Sequence, residues 1–321
     1  MTLSDDFAQV NQYLTKHIIG QSHLVNRLLI ALLADGHLLV EGAPGLAKTK
    51  AIKDLSRKVA GNFQRIQFTP DLLPSDITGT EVYRPEDGSF QFQPGPIFHN
   101  LILADEINRA PAKVQSALLE AMAERQVSVG KNTMALDDLF LVMATQNPIE
   151  QEGTYPLPEA QLDRFLMHVK IDYPDIDAER QILQLARNEA IDPVAGSKAA
   201  NPISQTTIFA ARKEVAEIYM SEVVEEYIVQ FVIATRRPDN YSKDLRKWID
   251  YGASPRGTIS LDRCARAHAW LAGKAFVSPD DVQAVLHDVL RHRLLITFEA
   301  EAEGLTADTI INELIRLVPV G

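Results

Sequence analysis

Lys48 and Thr49 end the run Gly42-Ala-Pro-Gly-Leu-Ala-Lys-Thr49, in which small residues and a proline lead to a cation and a hydroxyl. A loop of this composition aims successive backbone N–H groups at a chain of phosphates and adds the positive end of the helix that follows. The Lys48 ammonium then meets the β/γ oxygens and the Thr49 hydroxyl serves Mg²⁺, with Gly42, Ala43, Pro44, Gly45, Leu46, Ala47 and Lys50 around the nucleotide. Ala47 departs from the G-x-x-x-x-G-K-[ST] spacing, which has glycine there. A residue entering a helix has φ < 0 and tolerates a methyl group, so Ala47 is expected in ordinary backbone. A pair of carboxylates, Asp105-Glu106, ends the apolar run Leu101-Ile-Leu-Ala. Nucleotide hydrolysis needs one carboxylate at the metal and one on the attacking water, and we assign Asp105 to the first and Glu106 to the second. Asn147 ends a further apolar run, Phe140-Leu-Val-Met-Ala-Thr-Gln. Its amide suits a γ-phosphate or the lytic water, although Asn-Pro is also common turn chemistry.

These residues need a scaffold that brings strand ends together. From residue 1 to about 190 short apolar runs alternate with amphipathic stretches, the pattern of a parallel sheet covered by helices on both faces. Five strands are expected, at Leu38–Glu41, Phe63–Phe68, Leu101–Asp105, Leu139–Thr145 and Phe165–Ile171, and ligands bind at the carboxyl ends of strands in such sheets. Two hairpins interrupt this alternation. Thr80–Arg84 and Ser89–Gln93 flank a Gly-bearing turn, and Gln126–Val129 and Thr133–Leu136 flank Gly130-Lys-Asn132.

Residues 191–204, rich in Pro, Gly, Ser and Asn, are expected to link a first domain, 1–190, to a second, 205–321. The second is helical in pattern at Thr206–Tyr219, Ser221–Arg237, Thr258–Ala275, Pro279–Arg293 and Ala307–Leu317. Ser278-Pro279-Asp280-Asp281 supplies an N-cap, a proline at N1 and first-turn acids. The fold class is therefore α/β followed by a small all-α domain.

Composition narrows the function. The chain of 321 residues is 46% apolar and 23% charged, the balance of a globular protein. A single cysteine, Cys264, and a start without a basic, then apolar, leader point to the cytoplasm, and no apolar stretch is long enough for a membrane span. The net charge of -11 opposes sequence-independent nucleic-acid binding. The histidines show no metal-ligand spacing with Cys264, and Gly-x-Ser-x-Gly is absent, so a structural metal and a serine-hydrolase site are not expected.

Ile19-Gly-Gln21, Gly42–Thr49, Asp105-Glu-Ile-Asn-Arg-Ala-Pro111, Ala144-Thr-Gln-Asn-Pro148, Gly153-Thr-Tyr-Pro-Leu-Pro-Glu-Ala-Gln-Leu-Asp-Arg-Phe165 and Gly252-Ala-Ser-Pro-Arg-Gly257 together resemble the MoxR family of AAA+ ATPases, over nearly the whole chain. Alanine before the lysine is common in that family. The resemblance implies an AAA+ P-loop domain with a helical lid, ATP and Mg²⁺ as cofactors, and a homo-oligomeric, hexameric ring. It implies that Arg164 is an arginine finger for the neighbouring subunit and that Arg256 contacts nucleotide from the same chain. Ile18, Ile19, Gly20 and Gln21 correspond to its adenine-side segment. Gln67, at the end of the second strand, is placed to hold Glu106 in an inactive pose. Arg109 reads as an exposed helix-start arginine, with an intersubunit contact as the alternative. The hairpins mark the helix-2-insert branch and would face the pore or a partner.

The implied activity is chaperone-like remodelling or metal-cofactor insertion in a protein client, typically one with a von Willebrand factor A domain carrying a metal-ion-dependent adhesion site. Three alternatives remain: a magnesium-chelatase-type motor subunit, a nucleic-acid motor related to replicative helicases in which Lys131 lines a DNA channel, and a nucleotide-gated module without turnover.

Overall fold

The computed structural model of the chain describes residues 2–130, 132–148, 153–191 and 202–320. Lys131 and most of the expected linker lie outside the described residues. Helices α1 (Leu3–His17) and α2 (Ser22–Leu33) lead into β1 (Leu38–Glu41), and α3 (Lys48–Ser56) follows the phosphate loop. Then come β2 (Phe63–Gln67), α4 (Pro74–Thr78), the hairpin β3 (Gly79–Arg84) and β4 (Ser89–Pro94), and β5 (Leu101–Asp105). Helix α5 (Ala112–Glu124), the hairpin β6 (Gln126–Val129) and β7 (Asn132–Ala135), β8 (Leu141–Gln146), α6 (Glu159–Leu162), β9 (Met167–Lys170) and α7 (Ile176–Ile191) complete this part.

The five expected strands form one parallel sheet in the order β2-β5-β8-β1-β9. Side chains alternate between its faces. Leu38, Val40, Leu101, Leu103, Leu141 and Met143 join a core under α1, α2 and α3, while Leu39, Ile102, Ala104, Val142 and Ala144 join another under α4 and α5. Burial on both faces is why these strands are continuous apolar runs rather than alternating ones. Truncating a fully buried leucine here, such as Leu103, costs about 2–5 kcal/mol.

Nine positions of α2, from Leu24 to Leu33, are buried, including Arg27. The helix is apolar nearly all round because it lies between the sheet and the second domain. That domain comprises α8 (Gln205–Glu217), α9 (Glu222–Arg236), α10 (Lys243–Trp248), β10 (Ile249–Tyr251), α11 (Pro255–Leu271), α12 (Pro279–Leu290), β11 (Leu295–Ile296), α13 (Phe298–Ala302) and α14 (Ala307–Leu317). The antiparallel pair β10–β11 is an addition to the expected helices, and strands this short leave no periodic signal. Ser278 caps α12 as expected, its N–H donating to Asp281 Oδ2 at 2.9 Å.

The two parts share one core. Phe7 of α1 meets Trp270 of α11 edge to face at 5.3 Å. Arg27 Nε donates to Asp288 Oδ2 of α12 at 2.6 Å, and Arg291 beyond α12 donates to the His168 carbonyl of β9.

Candidate active site

The parallel register aligns Glu41 with Gln146 and Gln67 with Asp105, so the expected functional residues emerge along one edge of the sheet. The phosphate loop leaves β1 pressed against β9. A Cβ on Gly42 would lie 2.4 Å from Ile171 Cγ1 and 2.9 Å from its carbonyl oxygen, so no larger residue fits. Lys48 Nζ donates to the Gly42 carbonyl at 2.5 Å and ties the two ends of the loop together.

Ala47 corrects the expectation of negative φ. It has φ 57° and ψ 17°, because it caps α3 instead of lying within it, and the chain must reverse there before Lys48 becomes helical. A side chain in this left-handed region costs on the order of 1 kcal/mol.

Pro44–Lys50 surround a cavity of about 360 Å³ together with Asp105, Glu106, Thr145 and Asn147. A second cavity of about 400 Å³ lies across the same loop and shares Pro44, Gly45, Leu46, Ala47 and Lys50 with the first. Ile19, Gln21 and Tyr173 line this second space. Tyr173 is a contributor that the sequence did not signal. Ile18 is in the core rather than at the ligand, with 1% of its surface exposed. Gly20, Gly42 and Ala43 line neither cavity. Gly20 instead turns the chain at φ +77° against Pro174, and Gln21 Nε2 ties that turn to the Asp172 carbonyl at 2.9 Å. The paired cavities suit a nucleotide laid across the loop, with its base on the apolar side and its phosphates on the side of Lys48 and Thr49. The hard oxygens of Thr49 and Asp105 in the polar cavity are a donor set that fits Mg²⁺.

Each carboxylate is held by a neighbour. Thr145 Oγ1 donates to Asp105 Oδ1 at 2.6 Å and accepts from the Glu106 N–H at 2.9 Å, joining both acids to β8. Arg65 Nη2 and Nε reach Asp105 Oδ2 at 2.7 and 3.1 Å. Glu106 has φ 56°, and its Oε2 accepts from Gln67 Nε2 at 2.8 Å and pairs with Arg109 Nε at 3.2 Å. The expected Gln67–Glu106 contact is present, and Arg109 is its companion. Arg65 and Thr145 are not among the expected site residues. Arg65 stands two residues before Gln67 on β2, which was the available signal.

Arg164 and Arg256 lie elsewhere. Arg164 Nη1 donates to the Leu119 carbonyl at 2.6 Å. Both arginines line a third cavity of about 300 Å³, bounded by Asp35–His37 before β1 and by Phe165 and Leu166 before β9. This cavity shares no residue with the phosphate-loop cavity, and roughly 10 Å of strand separates the two ends of β1. The expected same-chain contact of Arg256 with nucleotide is thereby corrected, because α11 begins at the opposite edge of the sheet. Asp163 brings the two arginines together. It accepts from Ser254 Oγ at 2.8 Å, and Ser254 Oγ in turn accepts from the Arg256 N–H at 3.1 Å.

A phosphate loop after β1, an acidic pair after β5, an amide after β8 and a helical domain packed behind them define a P-loop ATPase of the AAA type. A family model described as "ATPase family associated with various cellular activities (AAA)" matches residues 37–167, and an "AAA lid domain" model matches residues 245–314. "Chaperone MoxR1" of Mycobacterium tuberculosis is 45% identical over 94% of this chain and 78% of its own length. "Protein MoxR" of Methylorubrum extorquens is 32% identical over 98% of this chain and 94% of its own. A crystal structure of a protein from Cytophaga hutchinsonii, described as a candidate ATPase, superposes with a TM-score of 0.91 at 44% identity, covering 99% of this chain and 95% of that one. The chain belongs to the MoxR family of AAA+ ATPases and is an ATPase. No helix among the described residues is long and apolar enough to cross a membrane.

Proposed function

We propose that the chain hydrolyses Mg²⁺-ATP at the interfaces of a homo-oligomeric ring, hexameric by resemblance, and uses turnover to remodel a protein client. In this reading Lys48 and the loop N–H groups bind the phosphates, while Ile19 and Tyr173 border the base. Thr49 and Asp105 hold Mg²⁺, which screens phosphate charge when bound. Glu106 orients the lytic water and Asn147 positions it against the γ-phosphate. The observation that carries the intersubunit arrangement is the shared cavity of Arg164 and Arg256, away from their own phosphate loop. Two guanidinium groups suited to spreading phosphoryl charge are out of reach of their own nucleotide and serve that of a neighbouring copy.

For the client, the chaperone name of one relative and the β3–β4 hairpin point the same way. Tyr83 and Phe90 are 53% and 67% exposed on that hairpin, with their rings tilted against each other at 5.3 Å between centroids, a surface suited to protein contact. A von Willebrand factor A domain is the partner we favour, by resemblance to the family. The net charge of -11 disfavours a nucleic-acid track.

Mixed assembly tests this reading. Lys48→Ala removes nucleotide binding, and Arg164→Ala with Arg256→Ala removes the trans groups, each lowering turnover by about 1,000-fold alone. Mixing the two inactive proteins should restore activity, because some interfaces then combine an intact loop with intact arginines. A mixture that assembles yet stays inactive would reject the trans roles, and strong stimulation by DNA would favour the helicase-like reading.

A further inference from the structure

We infer that Arg65 is a positioning residue that links divalent-cation binding at Asp105 to release of Glu106, an inference that rests on the roles proposed above for those two acids. Arg65 and Gln67 are two apart on β2, so their side chains leave the same face of the strand. The Arg65 guanidinium makes two bonds to Asp105 Oδ2, at 2.7 and 3.1 Å, and its Nη2 also donates to Gln67 Oε1 at 2.6 Å. Thr145 takes the other carboxylate oxygen at 2.6 Å. Both oxygens of Asp105 are therefore engaged, and the partner of Oδ2 is itself a cation.

The amide of Gln67 has a direction that Arg65 decides. With Oε1 accepting from Arg65, only Nε2 is left to face Glu106, and it donates to Glu106 Oε2 at 2.8 Å. Glu106 held there by Gln67 and by Arg109 at 3.2 Å cannot turn that oxygen to a water. When Asp105 serves a divalent cation, Arg65 is repelled from Oδ2 by like charge, and its side chain, half exposed to solvent, has room to swing outward. Its departure removes the constraint on the Gln67 amide and loosens the hold on Glu106, which then keeps only the ion pair with Arg109. Arg65 thus makes the hydrolytic group wait for the loaded metal site.

Arginine does two jobs here that substitution separates. Arg65→Gln removes the charge on Asp105, whereas Arg65→Lys keeps a charge but loses the planar fork that reaches Asp105 and Gln67 together. The experiment uses the full chain, a fluorescent ATP analogue titrated with Mg²⁺, and first-turnover and steady-state rates. Arg65→Gln should lower the Mg²⁺ concentration for half-maximal analogue binding by about tenfold. Arg65→Lys should leave that midpoint and kcat at saturating Mg²⁺ unchanged but speed the first turnover after Mg²⁺ is added, and Gln67→Ala should do the same. If Arg65→Gln shifts only the urea midpoint, Arg65 is a staple between β2 and β5 and the inference is wrong. Glu106→Gln distinguishes the two levels: unimpaired turnover in that variant overturns the assignment of Glu106 itself, while loss of turnover with an unmoved Mg²⁺ midpoint in Arg65→Gln overturns the Arg65 link alone.

Discussion

Arg293, beyond α12, donates Nε to Asp163 Oδ1 at 2.8 Å, one residue before Arg164. Its Nη2 donates to the Phe165 carbonyl at 2.7 Å, so the second domain grips the chain on both sides of that arginine. Only 2% of the Arg293 side chain and 20% of the Asp163 side chain is exposed. Burial pulls the Arg293 pKa down from the ordinary arginine value, with Asp163 opposing it.

Breaking this pair from the acid side should be costly. Asp163→Ala leaves a buried guanidinium without its counter-charge and should destabilise the fold by about 3 kcal/mol in urea unfolding. It also removes the bond that seats Ser254 and the start of α11, so turnover should fall even below the denaturation midpoint. A loss under about 1 kcal/mol would show that the grip contributes little.

Ala47 stands in left-handed backbone, where glycine is at ease. Ala47→Gly should therefore raise stability by about 1 kcal/mol, the reverse of most substitutions to glycine. Urea midpoints of the two proteins check this. Destabilisation instead would mean that the loop spends its time in ordinary backbone and that glycine only adds freedom to the unfolded chain.

His37 predicts how stability responds to acid. Its Nδ1 accepts from the Val142 N–H at 3.1 Å, and its Nε2 faces the Met122 carbonyl at 3.3 Å, so the neutral ring uses both nitrogens. Burial lowers its pKa to about 4, from 6.5. Between those values the unfolded chain binds a proton that the folded chain refuses, so stability falls as pH drops through this window, by up to about 1.4 kcal/mol per pH unit. His292, also buried and shifted down, adds to the slope.

The acids act lower. Burial raises Asp281, but hydrogen bonds from Lys274, Ser278 and His268 outweigh it and leave the carboxyl at about 2, so its contribution is lost only as pH falls below 3.8. Unfolding at about pH 7, 6 and 5 should show the decline, and His37→Gln should flatten it. An equal slope in that variant would remove His37 from the explanation.

The residues of the phosphate loop, the acidic pair and the five strands were legible because each is a local pattern. A strand buried on both faces must be apolar throughout, and a loop that binds phosphate must be small before its lysine and threonine. The caps of α12 were legible for the same reason, since Ser278 and Asp281 meet within one turn. The Gln67–Glu106 contact followed from strand ends alone. The backbone of Ala47 was not legible because the point where a helix begins decides the sign of φ, and a one-residue shift in that point changes it.

Arg65 and Thr145 escaped notice because their partners lie 40 positions away, at Asp105, across neighbouring strands. The place of Arg256 was not legible for a deeper reason. Its local sequence states that a helix begins with a cation, but the edge of the sheet where that helix begins is set by Arg293, Asp163 and the packing of α12 on β9. Chemistry that needs adjacent residues was written in the sequence, whereas the end of the sheet that Arg256 reaches was decided by the tertiary fold, because strand direction and domain packing set it.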